Sequence, residues 1–353
     1  MLDKRVTRDK RVTRDKRAMH DERAMHDERV THDERAMHDE PEPRHESVVV
    51  CLPESRHLEH LGALPPNVEL LLVPAEPGPV PDLSRIDLIV PTMRVRDALF
   101  ELLAGPPGRL QVIQTLSAGV DWLAGHVPAH VLLCNARGVY DGPLAEWVIG
   151  AILAMQRGLV RARDAQARGE WTVYEPDELA GRTVVILGMG SIGTAIADRL
   201  RPFDVEIVGV ARTRRDGLLG LGDLDDLLPR ADILVNMLPL TSETDGLLDA
   251  RRLALLPDGA LLINGGRGRT VDTDALVREA TAGRLRAALD VTDPEPLPAR
   301  HPLWSLPNVL ISPHIAGDSP DSTRRAFELA GDQIRRFAAG EPLINEVPRY
   351  QLE

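Results

Sequence analysis

The amino-acid sequence predicts an α/β protein built from two doubly wound parallel-sheet domains with a cleft between them. From residue 47 onwards, short apolar runs rich in Val, Leu and Ile alternate with longer helical patterns. Such runs are typical of parallel strands that helices cover on both faces. The alternation occurs as two successive series joined by one long helical stretch, which indicates two sheets rather than one.

The two series can be followed along the chain. The first contains the strand-like runs SVVVCL, VELLLV, IDLIV, LQVIQTL and HVLLCN, with one helical pattern before the fourth run. A single long helix is predicted over residues 144–168. The second series then contains TVVILGMG, VEIVGV, DILVNM, ALLING, RAALDV and VLISPH, and a last helix is predicted over 321–338.

Residues 1–46 differ from the remainder, because residues 3–40 repeat a charged six-residue unit that begins as DKRVTR. A period of six advances about 240° around a helix, so the apolar residues never gather on one face. We therefore expect a disordered or solvated tail outside the fold. Its four regularly spaced histidines could bind a metal only if they were brought together, and no metal site is predicted.

Composition excludes several classes of function. The 353 residues carry a formal net charge of −12, which disfavours a general affinity for nucleic acid because its phosphates are also negative. No apolar stretch reaches membrane-spanning length, and the N-terminus lacks the apolar core of a signal peptide. The two cysteines, Cys51 and Cys134, form no disulfide or zinc pattern. We expect buried thiols and a cytoplasmic protein.

A dinucleotide fingerprint follows the first strand of the second series. The predicted strand TVVIL leads directly into GMGSIG and then into a helical pattern. In this context Gly188 permits a tight turn, Gly190 lets the backbone approach a pyrophosphate, and Gly193 lets the helix pack on the strand. The free N–H groups at the helix start, at Ser191 and Ile192, would meet the phosphate charge.

The end of the next strand indicates which dinucleotide binds. An NAD site normally has an acidic residue there, which accepts hydrogen bonds from the ribose. This chain has Ala211 instead, followed by Arg212, Thr213, Arg214 and Arg215. Arginines can bind a 2′-phosphate through charge-assisted hydrogen bonds. We predict NADP as the preferred cofactor, with NAD possible; the alternative is an ordinary solvated basic loop.

Three later strands end in residues that suit the reduction of a 2-oxo acid. Arg267 follows the first, Asp290 and Glu295 follow the second, and His314 follows the third. A guanidinium can clamp a carboxylate, and an imidazolium can deliver a proton near neutral pH. A carboxylate such as Glu295 can orient that imidazole. Each residue could also be an ordinary surface or capping residue.

The chain resembles the D-isomer-specific 2-hydroxyacid dehydrogenase family from about residue 47 to residue 347. The resemblance rests on LSAGVDWL, GMGSIG, MLPLTSET, LLINGGRGRTVDTDAL, GRLRAALDVTDPEPLP and HPLWSLPNVLISPHIAG, which occur in the order typical of the family. It implies a flavodoxin-like substrate domain formed by residues 47–143 and 318–353. It also implies a Rossmann cofactor domain over residues 144–317, which includes the linking helix.

The resemblance also implies roles for individual residues. Arg267 would bind the substrate carboxylate, His314 would be the general acid and base, and Glu295 would be its partner. Backbone N–H groups of Ser117, Ala118 and Gly119 would bind the same carboxylate, and Asp290 would orient the nicotinamide carboxamide. The remaining cofactor contacts expected from the family motifs are Leu238, Pro239, Thr244, Gly265, Gly266, His314 and Gly317.

The predicted function is hydride transfer between NADP(H) and a small anionic 2-oxo or 2-hydroxy acid, by a homodimer. Ala211 at the end of the second strand is similar to the NADPH-preferring glyoxylate/hydroxypyruvate reductase branch, which also lacks an acidic residue there. Glu295 stands where formate dehydrogenases have an amide, which argues against formate as the substrate. The pair Gly265-Gly266 suggests a looser backbone before Arg267. Two alternatives remain at this point: a dinucleotide-sensing binding protein like the corepressors that share this fold, or an enzyme that oxidises phosphite or a sugar acid.

Overall fold

The first of two parallel sheets lies in the N-terminal part of the chain. The computed structural model describes residues 47–74 and 81–352. The first sheet contains five strands, β1 (Val48–Pro53), β2 (Val68–Val73), β3 (Leu88–Ile89), β4 (Val112–Gln114) and β5 (Leu132–Cys134). Their order across the sheet is β2-β1-β3-β4-β5, which is the order of a flavodoxin-like doubly wound sheet.

The second sheet contains seven parallel strands. They are β6 (Thr183–Leu187), β7 (Glu206–Ala211), β8 (Leu219–Gly220), β9 (Ile233–Asn236), β10 (Leu261–Asn264), β11 (Arg286–Leu289) and β12 (Val309–Ile311). Their order is β12-β11-β10-β9-β6-β7-β8, so the strand order reverses between β6 and β9. Ligands of open α/β sheets bind outside the carboxyl ends of the strands at such a reversal. The predicted fold class, two parallel-sheet α/β domains, is confirmed.

Eight α-helices are present among the described residues. They are α1 (Arg96–Ala104), α2 (Asp141–Gln156), α3 (Leu159–Arg168), α4 (Ser191–Leu200), α5 (Leu224–Leu227), α6 (Ala250–Leu255), α7 (Thr273–Thr281) and α8 (Pro320–Ala339). In the second sheet, α2 and α4 cover one face, and α5, α6 and α7 cover the other. Both faces of the central strands are therefore buried, which explains why their sequences are continuously apolar.

The chain returns to the first sheet at its end. Phe327, Ile334 and Phe337 of α8 pack against Val50 and Leu52 of β1 in one apolar cluster. Helix α1 contributes to the apolar cluster on the opposite face of this sheet. The C-terminal helix α8 thus packs on the N-terminal sheet, and the domain boundaries given above stay a prediction.

The prediction of a single linking helix over residues 144–168 is wrong. The structure has two helices there, α2 and α3, and the break lies at Arg157 and Gly158. Gly158 adopts a left-handed conformation with φ of 63°, and its carbonyl accepts a hydrogen bond of 2.7 Å from the Tyr174 hydroxyl. A Cβ atom on Gly158 would lie 2.6 Å from the Tyr174 ring. The glycine therefore permits a tight contact that ends α2.

Three other expectations concern composition. Cys51 and Cys134 are fully buried free thiols, as predicted, and burial raises the pKa of each to about 11. None of the helices in residues 47–74 and 81–352 is long and apolar enough to cross a membrane. The predictions for residues 1–46, including the histidine-bearing repeat, lie outside the described residues.

Candidate active site

The phosphate loop joins β6 to α4 with the geometry that its three glycines predict. Gly188 has φ of +94°, and a Cβ atom there would lie 2.7 Å from the Met237 carbonyl oxygen. A Cβ atom on Gly193 would lie 2.2 Å from the Gly188 carbonyl oxygen, whereas one on Gly190 would meet no atom within 4 Å. Gly188 and Gly193 are therefore required by packing, and Gly190 leaves the approach to the loop open.

This loop borders a cavity of about 580 Å³ at the reversal of strand order. The predicted cofactor or substrate residues that line it are Ala118, Gly188, Gly190, Ser191, Ile192, Gly193, Arg212, Thr213, Arg215, Leu238, Pro239 and Thr244. Others that were predicted to bind the cofactor do not line this cavity: Arg214, Gly265, Gly266, Asp290, His314 and Gly317. The C-terminal residues Val347 and Tyr350 form part of its wall, which the sequence did not indicate.

Arg212 enters this cavity and has two close neighbours. Its Nε and Nη2 atoms donate hydrogen bonds of 2.8 Å and 2.7 Å to the two carboxylate oxygens of Glu243. The guanidinium carbon lies 4.2 Å from the centre of the Tyr350 ring, which is a cation–π distance. The hydrogen bond from Arg212 lowers the pKa of Glu243. Arg212 is thus held in an exposed ion pair at the cavity, whereas Arg214 pairs with Asp223 at 2.6 Å, and the alternative of a solvated loop stays open.

Arg267 lies directly beyond β10, and its guanidinium is held across the cleft. Its Nε donates a hydrogen bond of 2.7 Å to Asp121 Oδ1, from the first sheet's domain. Its Nη1 donates one of 2.8 Å to the Gly266 carbonyl oxygen. A Cβ atom on Gly119 would lie only 1.3 Å from Arg267 Nη2. Any side chain at position 119 would therefore clash with the guanidinium, so this position requires glycine.

The loop that faces Arg267 presents free backbone donors. Ser117 Oγ donates to the Gly119 carbonyl oxygen at 2.8 Å, and Asn135 Nδ2 donates to the Ala118 carbonyl oxygen at 2.7 Å. Within the described residues, the backbone N–H groups of Ser117, Ala118 and Gly119 donate no hydrogen bond to another residue. Unpaired N–H groups beside a guanidinium form a suitable site for a carboxylate.

A buried amide network fixes the backbone at Arg267. Asn236 Nδ2 donates to Asn264 Oδ1 at 3.1 Å and to Thr270 Oγ1 at 2.6 Å. Asn264 Nδ2 and Thr270 Oγ1 both donate to the Arg267 carbonyl oxygen, at 3.2 Å and 2.6 Å. A Cβ atom on Gly266 would lie 2.7 Å from the Leu238 carbonyl oxygen. The expectation of a loose backbone at Gly265-Gly266 is therefore wrong, because Gly266 is tightly packed.

His314 and Glu295 form the second part of the candidate site. His314 Nδ1 lies 2.5 Å from Glu295 Oε1, and both side chains are partly exposed. The contact leaves Nε2 of the imidazole available for a substrate. His314 has φ of 56°, in a region that non-glycine residues adopt rarely and at an energetic cost.

Asp290, at the end of β11, holds the loop that carries His314. It is buried and accepts hydrogen bonds from Ser312 Oγ at 2.6 Å and from the N–H groups of Ile315 and Ala316 at 2.9 Å each. Its own carbonyl oxygen accepts the His314 N–H at 2.8 Å. These bonds surround His314 and stabilise its unusual backbone conformation. The role expected for Asp290 at the nicotinamide stays a prediction.

Arg267, Asp290 and His314 follow three neighbouring strands, β10, β11 and β12. Paired residues at their carboxyl ends are Asn264 with Leu289 and Leu289 with Ile311. Parallel pairing therefore brings the loops of Arg267, Asp290 and His314 to one edge of the sheet. The sequence could not show Asp121, the network of Asn236, Asn264 and Thr270, or Glu243. Their only signal is a polar residue at the end of a strand or in a loop after one.

Comparison with known proteins identifies the family. Residues 149–316 match the family model described as D-isomer specific 2-hydroxyacid dehydrogenase, NAD binding domain. The chain is 37% identical to a glyoxylate reductase of Thermofilum pendens over 66% of this chain and 73% of that protein. It is 36% identical to a glyoxylate/hydroxypyruvate reductase B of Escherichia fergusonii over 65% of this chain and 74% of that protein.

A similar solved structure supports the same family. It is an NADPH-dependent glyoxylate/hydroxypyruvate reductase from Sinorhizobium meliloti in complex with NADP and sulfate, and it is 30% identical to this chain with a TM-score of 0.75. The alignment covers 87% of this chain and 100% of that chain. The family predicted from the sequence motifs is confirmed. The chain therefore belongs to the D-isomer-specific 2-hydroxyacid dehydrogenase family, and it is an NAD(P)-dependent oxidoreductase that acts on CH–OH donors.

Proposed function

We propose that this protein is an NADPH-dependent reductase of small 2-oxo acids of the glyoxylate and hydroxypyruvate class, with the D-2-hydroxy acid as product. The observation that carries the proposal is Arg267, held by Asp121 with its Nη2 against Gly119, in the loop of residues 117–119 whose N–H groups are unpaired among the described residues. This arrangement suits a carboxylate next to a reactive carbonyl. Family membership supports the D configuration of that product.

The residues of the cavity fit a dinucleotide. Gly190 leaves the phosphate loop open, and the N-terminus of α4 lies directly behind it, where N–H groups and the helix dipole favour phosphate. Arg212, Thr213 and Arg215 lie in the same cavity and would hold a 2′-phosphate. Several similar solved structures contain NADP or NADPH, and this supports NADP(H) as the preferred cofactor, with NAD(H) as the second. When bound, the reduced nicotinamide supplies the hydride.

The chain's own residues would orient the acid and move the proton. Arg267 and the N–H groups of residues 117–119 would hold the carboxylate and polarise the adjacent carbonyl. His314 Nε2 would donate a proton to the carbonyl oxygen as that oxygen becomes an alkoxide. Glu295, in contact with Nδ1 at 2.5 Å, would hold the imidazole in the required tautomer and orientation.

We also propose a homodimer that forms through the cofactor domain in the cytoplasm. Leu159 of α3 and the following residues Trp171 and Val173 expose large apolar side chains, with Trp171 97% exposed. Exposed apolar groups clustered along one segment often mark a protein interface. The two free thiols agree with a reducing compartment.

The decisive experiment compares initial rates with NADPH and with NADH across glyoxylate, hydroxypyruvate, pyruvate and phenylpyruvate. We expect preferred turnover of one of these acids with NADPH. His314→Ala should reduce kcat by about 10² to 10⁴ because the proton donor is lost. His130→Ala, at an exposed histidine of the other domain, should not. No turnover of any acid, or full activity of His314→Ala, would contradict the proposal.

A further inference from the structure

The cofactor cavity contains a carboxylate that the strand-end position lacks. Ala211 ends β7 where NAD sites usually have an acidic residue. Glu243 lies in the loop after β9, lines the same cavity as Ala211, and contacts Arg212 with both carboxylate oxygens at 2.7 Å and 2.8 Å. The loop after β9 therefore supplies the negative charge at this end of the cavity that the end of β7 lacks.

Glu243 accepts hydrogen bonds from the edge of the Arg212 guanidinium that would best bind a phosphate. The Nε and Nη2 groups of a guanidinium form a fork that matches carboxylates and phosphates equally well. In Arg212 this fork is filled by Glu243, and the Tyr350 ring lies over one face of the guanidinium. In contrast, the side chain of Arg215 in the same cavity forms no ion pair with another described residue.

We propose that Glu243 is a specificity-determining residue that competes with the 2′-phosphate of NADP(H) for Arg212 and accepts hydrogen bonds from the ribose hydroxyls of NAD(H). This inference rests on the proposed function of the cavity. Because its hydrogen bond with Arg212 lowers the pKa of Glu243, the carboxylate stays ionised at neutral pH. A 2′-phosphate must displace it and is repelled by it. The preference for NADP(H) is consequently weaker than Ala211 and Arg212 alone would produce.

The test is the ratio of dissociation constants for NADH and NADPH, measured by calorimetry on the full chain without any acid substrate. Glu243→Gln keeps the side-chain shape and removes the negative charge. We expect it to raise this ratio by about threefold to tenfold, since an exposed ion pair that must be broken costs little. NADPH should bind more tightly to the variant, and NADH should bind equally or more weakly.

A matched control separates this effect from a change in net charge. Glu206 pairs with Arg230 at 3.2 Å on the surface and does not line the cavity, so Glu206→Gln should leave the ratio unchanged. Glu243→Ala should behave as Glu243→Gln does, because the carboxylate is absent from both variants. Agreement between them would show that the new amide does not cause the effect.

Two results would overturn the inference. An unchanged ratio would show that Glu243 does not distinguish the dinucleotides, and weaker NADPH binding by both variants would show that it only orients Arg212. The measurement does not depend on turnover, so it remains valid if no 2-oxo acid is reduced. If the wild-type chain bound neither dinucleotide, the inference and the cofactor assignment would both be wrong.

Discussion

Arg267 and Arg212 both follow strands of the seven-stranded sheet, and both contact a carboxylate at 2.7 Å. Their surroundings differ. The partner of Arg267 is Asp121, which belongs to the other sheet's domain and bonds to Nε alone. The partner of Arg212 is Glu243 of the same domain, which bonds to two nitrogens. The exposed fractions of the two side chains are 26% for Arg267 and 47% for Arg212.

The difference shows how one residue type can serve two kinds of binding. Asp121 binds Nε of Arg267 and leaves its Nη2 against Gly119, so the guanidinium is oriented before any acid arrives. Glu243 instead occupies the binding fork of Arg212, so a phosphate must exchange with it. We therefore expect changes at Arg267 to affect catalysis and changes at Arg212 to affect the choice of cofactor.

The largest effect is expected for Arg267→Ala. It should lower kcat/KM for the preferred 2-oxo acid by roughly 10³, because a charge that stabilises the transition state is lost. The dissociation constant for NADPH should stay within about twofold, since Arg267 does not line the cofactor cavity. Steady-state kinetics and calorimetry test both expectations. Arg269→Ala is the control, because Arg269 is an exposed neighbour that pairs with Asp245. Activity of Arg267→Ala within tenfold of wild type would refute its role.

The complementary change is Arg212→Ala. We expect the KM for NADPH to rise by roughly tenfold to a hundredfold, because hydrogen bonds to a charged group are worth about 1.5–3 kcal/mol. The KM for NADH should change little. Arg214→Ala is the matched control, since Arg214 pairs with Asp223 and does not line the cavity. Equal losses for both dinucleotides, or equal effects in the two variants, would mean that Arg212 does not bind a 2′-phosphate.

A smaller effect is expected for Asp121→Asn. The amide is nearly the same size as the carboxylate but carries no charge, so Arg267 should lose orientation rather than contact. The KM for the 2-oxo acid should rise by about tenfold, and the KM for NADPH should not change. Asp97→Asn, in an exposed pair with Arg96 at 3.5 Å, serves as the comparison. An unaltered KM for the acid would show that Gly266 alone suffices to place the guanidinium.

The smallest effect concerns Tyr350, which joins the first domain to Arg212. Tyr350→Ala should weaken NADPH binding by about twofold to fivefold, because an exposed cation–π contact is worth about 0.5–1 kcal/mol. Tyr350→Phe should bind as wild type does, since the ring is retained. Binding titrations of the two variants provide the measurement. If both variants bound equally weakly, the hydroxyl rather than the ring face would be responsible.

The position of Tyr350 is set by the residues on either side of it. Arg349 Nη2 donates to the carbonyl oxygens of Ala129 at 3.0 Å and Val131 at 2.9 Å, and the Leu352 carbonyl oxygen accepts the Gly125 N–H at 2.8 Å. Leu352 is also buried. Residues 349–352 are therefore held on the first domain, and from this position Tyr350 contacts Arg212 of the second domain.

Much of the candidate site could be predicted because its motifs are local. The turn at Gly188, the opening at Gly190 and the close packing at Gly193 follow from a strand, a short loop and a helix that are adjacent in sequence. Arg267, Asp290 and His314 could likewise be identified as residues that follow apolar runs. The break at Gly158 was missed because a helical pattern does not show that Tyr174 packs against one of its glycines.

The sequence by itself determined the two α/β domains, the phosphate loop and the residues at the strand ends, because apolar periodicity and glycine spacing act over a few residues. Only the tertiary structure decided the partners of those residues. Asp121 meets Arg267 across 146 positions and Glu243 meets Arg212 across 31. Such contacts depend on strand order and on how the two domains meet, and no local pattern contains that information.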